Sequence, residues 1–198
     1  MITFKNLTDE IPFLLFKEKY EQASSNGQRS IEAISISSYS KEFHEVNSRF
    51  VNLKFVENNE FIFFTNYNSP KSEEFRSHAQ ISALIYWNSV NIQIRIKAKI
   101  KKTSIDFNKQ YFRTRSLEKN ALAISSDQSR SIDSYKSVKD NYNKVLLSND
   151  LIECPEYWGG YSFTPYYFEF WGGHESRLNK RDIYQIKDNS WDHLIVQP

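Results

Sequence analysis

Apolar and polar positions alternate most strictly between residues 90 and 100, where Ile92, Ile94, Ile96 and Ala98 interleave with Gln93, Arg95, Lys97 and Lys99. A period of two predicts a strand with one buried face. Shorter runs rich in β-branched and aromatic residues predict further strands over 31–36, 49–56, 60–65, 81–87, 166–171, 183–187 and 193–196. The polar turn Glu57-Asn58-Asn59 makes a hairpin of the pair at 49–56 and 60–65. Four helices are expected among these strands. The first runs through Phe13, Leu14, Phe16 and Tyr20 with Thr8 as its N-cap, and a short second is opened by Ser69 or Ser72 and ends near Ser77. The third is capped by Ser104 and contains Phe107, Tyr111 and Phe112; the fourth covers 131–147, with Gln128-Ser129 as its candidate cap. Strands that follow one another without regular crossover helices predict a mainly β, mostly antiparallel fold with peripheral helices rather than βαβ units.

Composition narrows the function classes. The chain has 198 residues, which is the size of one domain. Its 26 Lys and Arg nearly balance 24 Asp and Glu, so nothing draws it as a whole to nucleic acid or a membrane, and any phosphate recognition must be local. The single cysteine, Cys154, excludes an internal disulfide and fits a reducing compartment, so a cytoplasmic location is expected. No run approaches the roughly 18 apolar residues of a membrane span, and the N-terminal segment has no signal-peptide pattern. His44, His78, His174 and His193 are scattered without metal-ligand spacing. Neither G-x-S-x-G, G-x-G-x-x-G nor a phosphate-binding G-x-x-x-x-G-K-[ST] occurs.

Several polar residues stand where a strand or helix would hold them over a ligand. Arg49 and Lys54 are five apart in one strand, which puts them on opposite faces unless a bulge intervenes. Lys71 follows a turn at the start of a helix, where free N–H groups and the helix dipole favour an anion. Gln93 offers an amide that can both donate to and accept from a planar heterocycle. Arg115 follows Tyr111 by four residues, so both share one helix face. Taken singly, each has a plainer reading: solvated edge charges, a surface lysine, a solvent-facing amide, cover for a helix. The segment FWGGHESRLNKR, 170–181, sets two arginines four positions apart after what reads as a tight Gly-Gly turn.

In order, R-F-V-N-L-K at 49–54, F-F-T-N at 63–66, S-P-K at 69–71, Gln93, Y-F-R-T-R at 111–115, Q-S at 128–129, P-E-Y-W-G-G-Y at 155–161 and E-F-W-G-G-H-E-S-R-L-N-K-R at 169–181 resemble pyridoxamine 5′-phosphate oxidase. The resemblance runs from about Pro12 to the end of the chain, and its C-terminal block is the specific part. It implies an FMN-binding split β-barrel, residues 1–198 as one domain with a dimerisation segment at about 155–198, and a homodimer with FMN sites at the subunit interface. Carried over by position, Arg49, Lys71, Gln128 and Ser129 would hold the FMN phosphate and ribityl chain, Phe64, Thr65 and Gln93 would line the cofactor, and Trp171 and Arg181 would reach it from the partner subunit. Lys54, Tyr111, Arg115 and Lys119 match positions that bind the substrate phosphate, while Arg177 and Asn179 match positions at the pyridine ring, Arg177 as the catalytic arginine. The implied reaction is oxidation of pyridoxine or pyridoxamine 5′-phosphate to pyridoxal 5′-phosphate, with hydride transfer to flavin and reoxidation by O2 to H2O2.

Three positions depart from the family pattern: Asn179 stands in place of histidine, Lys119 in place of serine, and Pro70 in place of the arginine before the lysine. Two alternatives therefore accompany the main reading, a related FMN oxidase acting on another ring compound, as in phenazine biosynthesis, and a non-catalytic protein that binds FMN or pyridoxal phosphate.

Overall fold

The computed structural model describes residues 1–147 and 150–198. In chain order the elements are β1 (Thr3–Lys5), α1 (Ile11–Ser25), β2 (Ala33–Ser40), β3 (Glu45–Glu57), β4 (Glu60–Asn66), α2 (Pro70–Ser77), β5 (Gln80–Trp87), β6 (Ile92–Lys102), α3 (Ile105–Arg113), α4 (Leu117–Ser125), α5 (Tyr135–Leu146), β7 (Trp158–Gly172), β8 (Lys180–Lys187) and β9 (Ser190–Ile195). The mainly β fold with peripheral helices is as predicted.

Six of the strands close on themselves. Antiparallel pairing runs from β2 to β3 (Ile36 opposite Arg49), β3 to β4 (Val56 opposite Phe61), β4 to β7 (Phe64 opposite Gly160), β7 to β6 (Phe168 opposite Ile96), β6 to β5 (Ile96 opposite Ala83) and back to β2 (Ala83 opposite Ile36). Closure leaves these strands without a free edge along the ring. One edge of β7 is held by β6; the other is shared, its first half by β4 (158–163) and its second half by β8 (167–172). The division coincides with a bulge at Tyr166, the unpaired residue between Pro165 and Tyr167, and Pro165 lacks the N–H that regular pairing would use. This barrel with one divided edge is the split β-barrel that the resemblance implies.

The alternating strand at β6 behaves as its pattern demands: Ile94, Ile96 and Ala98 are fully buried while Arg95, Lys97 and Lys99 face out. Aromatic rings fill the centre, with Phe61 stacked on Phe163 at 5.3 Å. From α1, Phe16 lies 4.9 Å from Phe61 and Phe13 5.3 Å from Phe168, so the helix covers the barrel with its apolar face.

Several boundaries differ from expectation. Glu10, not Thr8, occupies the N-cap of α1, because Pro12 fits the first turn and fixes where the helix begins. The last helix begins at Tyr135, and Ser134 rather than Gln128-Ser129 caps it, accepting a hydrogen bond from Ser137 N. Helix α4 and the short β1 lack a periodic signal long enough to predict them. Strand β7 starts eight residues before the predicted strand at 166, and Gly159, Gly160 and Pro165 sit within its pairing.

Candidate functional site

A bulge creates the first wall of the site. Leu53 pairs with Phe63 and Phe55 with Ile62, which leaves Lys54 as the extra residue of β3. Leu53 and Val56 both remain buried, and Lys54 faces a cavity of about 620 Å³ beside the barrel. The bulge falls at Lys54 itself and not between it and Arg49, and the two side chains line different cavities.

The second wall is aromatic. On β4, Phe63 points into the barrel and Phe64 points out, where its ring lies 4.0 Å from Tyr111 and 5.1 Å from Trp158 with interplanar angles of 23° and 9°. Near-parallel rings of this kind offer a flat apolar surface. Two glycines bring these elements together. A Cβ on Gly160 would lie 2.6 Å from Thr103 Oγ1 and 3.1 Å from Phe64 Cε1, and one on Gly159 would strike the Tyr67 hydroxyl and the Asn108 amide. Gly160 N donates to Asn108 Oδ1 at 2.8 Å, and its carbonyl accepts from Tyr67 Oη at 2.9 Å. That network docks α3 on β7 and sets Tyr111 over the cavity.

The third wall is cationic. Arg115 sits in the turn after α3, its guanidinium 4.4 Å above the Trp158 ring, with Nη2 donating to the Lys119 carbonyl at 3.0 Å. Its Nη1 is buried without a partner. Buried Asn120 fixes this turn by donating to Phe112 O at 3.0 Å and Leu151 O at 2.9 Å. Lys54, Lys71, Arg115 and Lys119 line the cavity, and Glu32 is the one carboxylate lining it among the described residues. Burial lowers the Lys54 pKa, Lys119 and Arg115 lower it further, and Glu32 opposes them. Burial likewise raises the Tyr111 phenol and lowers the Arg115 guanidinium.

Lys71, at the N-terminus of α2, is only 7% exposed and donates to Thr65 Oγ1 at 3.2 Å and Ser69 Oγ at 3.0 Å. Thr65 Oγ1 donates in turn to Gln128 Oε1 at 3.1 Å, which ties the 126–129 loop to the end of β4. Burial first, then the charge of Arg49, bring the Lys71 pKa down to about 8 against the opposing pull of Glu74. Arg49 itself is paired with Glu74 at 2.8 Å.

Of the residues predicted for the site, the structure brings Lys54, Phe64, Thr65, Lys71, Tyr111, Arg115, Lys119 and Gln128 around one cavity. Arg49 lines an adjoining cavity with Glu74. Ser129, exposed at φ 70°, does not line the main cavity. Gln93, Trp171 and Arg181 form a row across β6, β7 and β8, apart from it. Arg181 Nε donates to buried Glu169 at 2.8 Å. Arg177 is exposed at φ 60° in the turn after β7, and Asn179 Oδ1 accepts from His174 N at 3.0 Å. The Gly-Gly pair is not the turn. Gly172 ends β7, and Gly173 is kept small by the Asn91 side chain, which a Cβ would strike. Trp158 and Glu74 lay within or beside the motifs read from the sequence, yet their contacts appear only in three dimensions, and nothing in the local sequence marks Glu32.

A family model described as the pyridoxine 5′-phosphate oxidase C-terminal dimerisation region matches residues 158–198. The pyridoxine/pyridoxamine 5′-phosphate oxidase of Vesicomyosocius okutanii subsp. Calyptogena okutanii (strain HA) is 35% identical over 185 residues, 92% of this chain and 86% of the relative. PhzG from Burkholderia lata 383, solved with tetrahydrophenazine-1-carboxylic acid, superposes with a TM-score of 0.90 at 24% identity, covering 96% of this chain and 94% of that one. A pyridoxamine 5′-phosphate oxidase-related, FMN-binding protein from Nostoc punctiforme PCC 73102 shares the fold at a TM-score of 0.78 and 13% identity, covering 96% of this chain and all of that one.

Proposed function

The chain belongs to the pyridoxine/pyridoxamine 5′-phosphate oxidase family, and from that premise we propose that it is an FMN-dependent homodimeric oxidase converting pyridoxine or pyridoxamine 5′-phosphate to pyridoxal 5′-phosphate, with O2 reduced to H2O2. The observation that carries the substrate half is Arg115 Nη1, a buried guanidinium nitrogen without a partner beside Lys54 and Lys119. A buried cationic donor left unsatisfied is suited to a phosphate oxygen.

The residues present also fit FMN. Lys71 is a buried cation whose two partners are neutral hydroxyls, and Arg49 lies close enough to depress its pKa, so a phosphate between them would relieve their mutual repulsion. In this reading Arg49, Lys71, Gln128 and Ser129 hold the phosphate and ribityl chain, while Phe64, Thr65 and Gln93 line the cofactor. Trp171 and Arg181 act from the partner subunit. A second copy is favoured by the outer sheet face, where Phe50, Leu84 and Tyr86 are 75%, 39% and 54% exposed.

FMN, when bound, supplies the two-electron acceptor and the route to O2. The chain supplies placement. Arg115, Lys54 and Lys119 anchor the substrate phosphate, with the Tyr111 hydroxyl as a neutral donor, and this fixes the ring at one distance from the flavin. In this reading Arg177 and Asn179 would contact the ring. The exposed turn carrying Arg177 is positioned at its base by the Asn179–His174 hydrogen bond.

A second reading, oxidation of a different ring compound, is favoured by that same bond. Asn179 stands in place of a titrating histidine and its oxygen is committed to the His174 amide, so it cannot exchange a proton with substrate near neutral pH. An anaerobic titration separates the two. Adding pyridoxine 5′-phosphate to the flavin-loaded protein should bleach the visible flavin band, with recovery and peroxide release in air. A band that persists at saturating pyridoxine and pyridoxamine 5′-phosphates would refute the first reading.

A further inference from the structure

Glu74, in the second turn of α2, is a buried carboxylate placed beside two cations assigned to an anion. Charge alone would make it an obstacle to phosphate binding. Its contacts say otherwise. Oε2 accepts from Arg49 Nη2 at 2.8 Å and from the Ser38 hydroxyl, and Oε1 accepts from Asn47 Nδ2 at 3.0 Å. The Ser38 hydroxyl that donates to Glu74 also accepts from Arg49 Nη1, which reaches the Ile36 carbonyl at 3.4 Å as well. The guanidinium is thus held on one side by groups from β2 and α2, and its side chain keeps 21% of its surface exposed for an incoming oxygen. An arginine without this clamp would have to be ordered at each binding event, at the expense of affinity.

We propose that Glu74 is a positioning residue of the cofactor site: with Ser38 it fixes the Arg49 guanidinium in the orientation that receives the flavin phosphate, so that removing its negative charge weakens anion binding instead of strengthening it. The inference rests on the reading of Arg49 and Lys71 as phosphate ligands given above.

The test is titration of flavin-free protein with FMN, followed by quenching of flavin fluorescence, in the wild type, Glu74→Gln, Arg49→Ala and the double variant. Glu74→Gln should weaken FMN binding by about tenfold, the scale of losing one charge-assisted contact. The double variant should bind no more weakly than Arg49→Ala, because Glu74 acts through Arg49. Riboflavin, which lacks the phosphate, distinguishes positioning from a loosened fold: its affinity should be the same in Glu74→Gln and the wild type. Tighter or unchanged FMN binding in Glu74→Gln, with Arg49→Ala still weakened, overturns the inference and leaves the site assignment standing. Parallel losses for FMN and riboflavin, or additive losses in the double variant, also overturn it. Wild-type FMN affinity in Arg49→Ala overturns the site assignment and the inference together.

Discussion

Replacing Lys71 with methionine should make the flavin-free protein more stable while removing its grip on the cofactor. Lys71 is buried, and its pKa falls from 10.5 to about 8. Below about pH 8 the side chain is protonated in both folded and unfolded chains, and the folded state carries the whole penalty of housing the charge. At roughly 1.4 kcal/mol per pH unit, that penalty is about 3 kcal/mol. Between the two pKa values the unfolded chain binds more protons, so stability rises with pH, and the penalty has gone once the pH exceeds that of free lysine. Methionine keeps most of the alkyl stem and gives up two hydrogen bonds, but Thr65 and Ser69 retain Gln128 and Asn66 as partners. Their loss offsets about 1 kcal/mol. The expected net gain at pH 7 is about 2 kcal/mol, measured by urea unfolding of flavin-free protein through tryptophan fluorescence. At about pH 9.5 the gap should narrow to less than half. A variant less stable than the wild type at pH 7, or a gap that does not change with pH, would refute the reasoning. With FMN present the order should reverse, because only the wild type gains stability from binding the phosphate.

Arg115→Ala should raise KM for pyridoxine 5′-phosphate by about 100-fold with flavin content unchanged, since it deletes the buried donor that awaits the phosphate; an unaltered KM would remove Arg115 from the substrate site. Gly160→Ala should destabilise the fold by about 2 kcal/mol through the clash with Thr103 and Phe64, whereas Gly172→Ala, which faces open space, should stay within about 0.5 kcal/mol of wild type. Comparable thermal midpoints for the two variants would contradict the packing described for the Gly159–Gly160 pair.

Local chemistry made much of this legible in the sequence. The alternation in β6, the Glu57-Asn58-Asn59 hairpin and the Ser104 cap depend on neighbours within a few residues, and all three form as the pattern requires. Thr8 failed as a cap because Pro12 decides where α1 starts, a competition between two valid local signals. The reason for Gly159 and Gly160 is tertiary: Gly159 is small to admit Tyr67 and Asn108, and Gly160 to admit Thr103 and Phe64. At the site, the bulge at Lys54 is invisible to a period-two reading, since alternation on either side of it is intact. The clamp of Arg49 by Glu74 joins residues 25 apart on a strand and a helix, and no spacing rule links them.

The bridging role of β4 has a consequence for how the protein comes into being. Phe64 meets Gly160 only when β4 pairs with β7, across nearly a hundred residues of chain. Contacts of such long sequence separation close late in folding. The aromatic wall, made by Phe64 from one side of that seam and Trp158 from the other, is therefore absent from a chain still emerging from the ribosome, however much of its N-terminal sheet has formed. A surface fit to receive a ligand thus exists only once the barrel has closed.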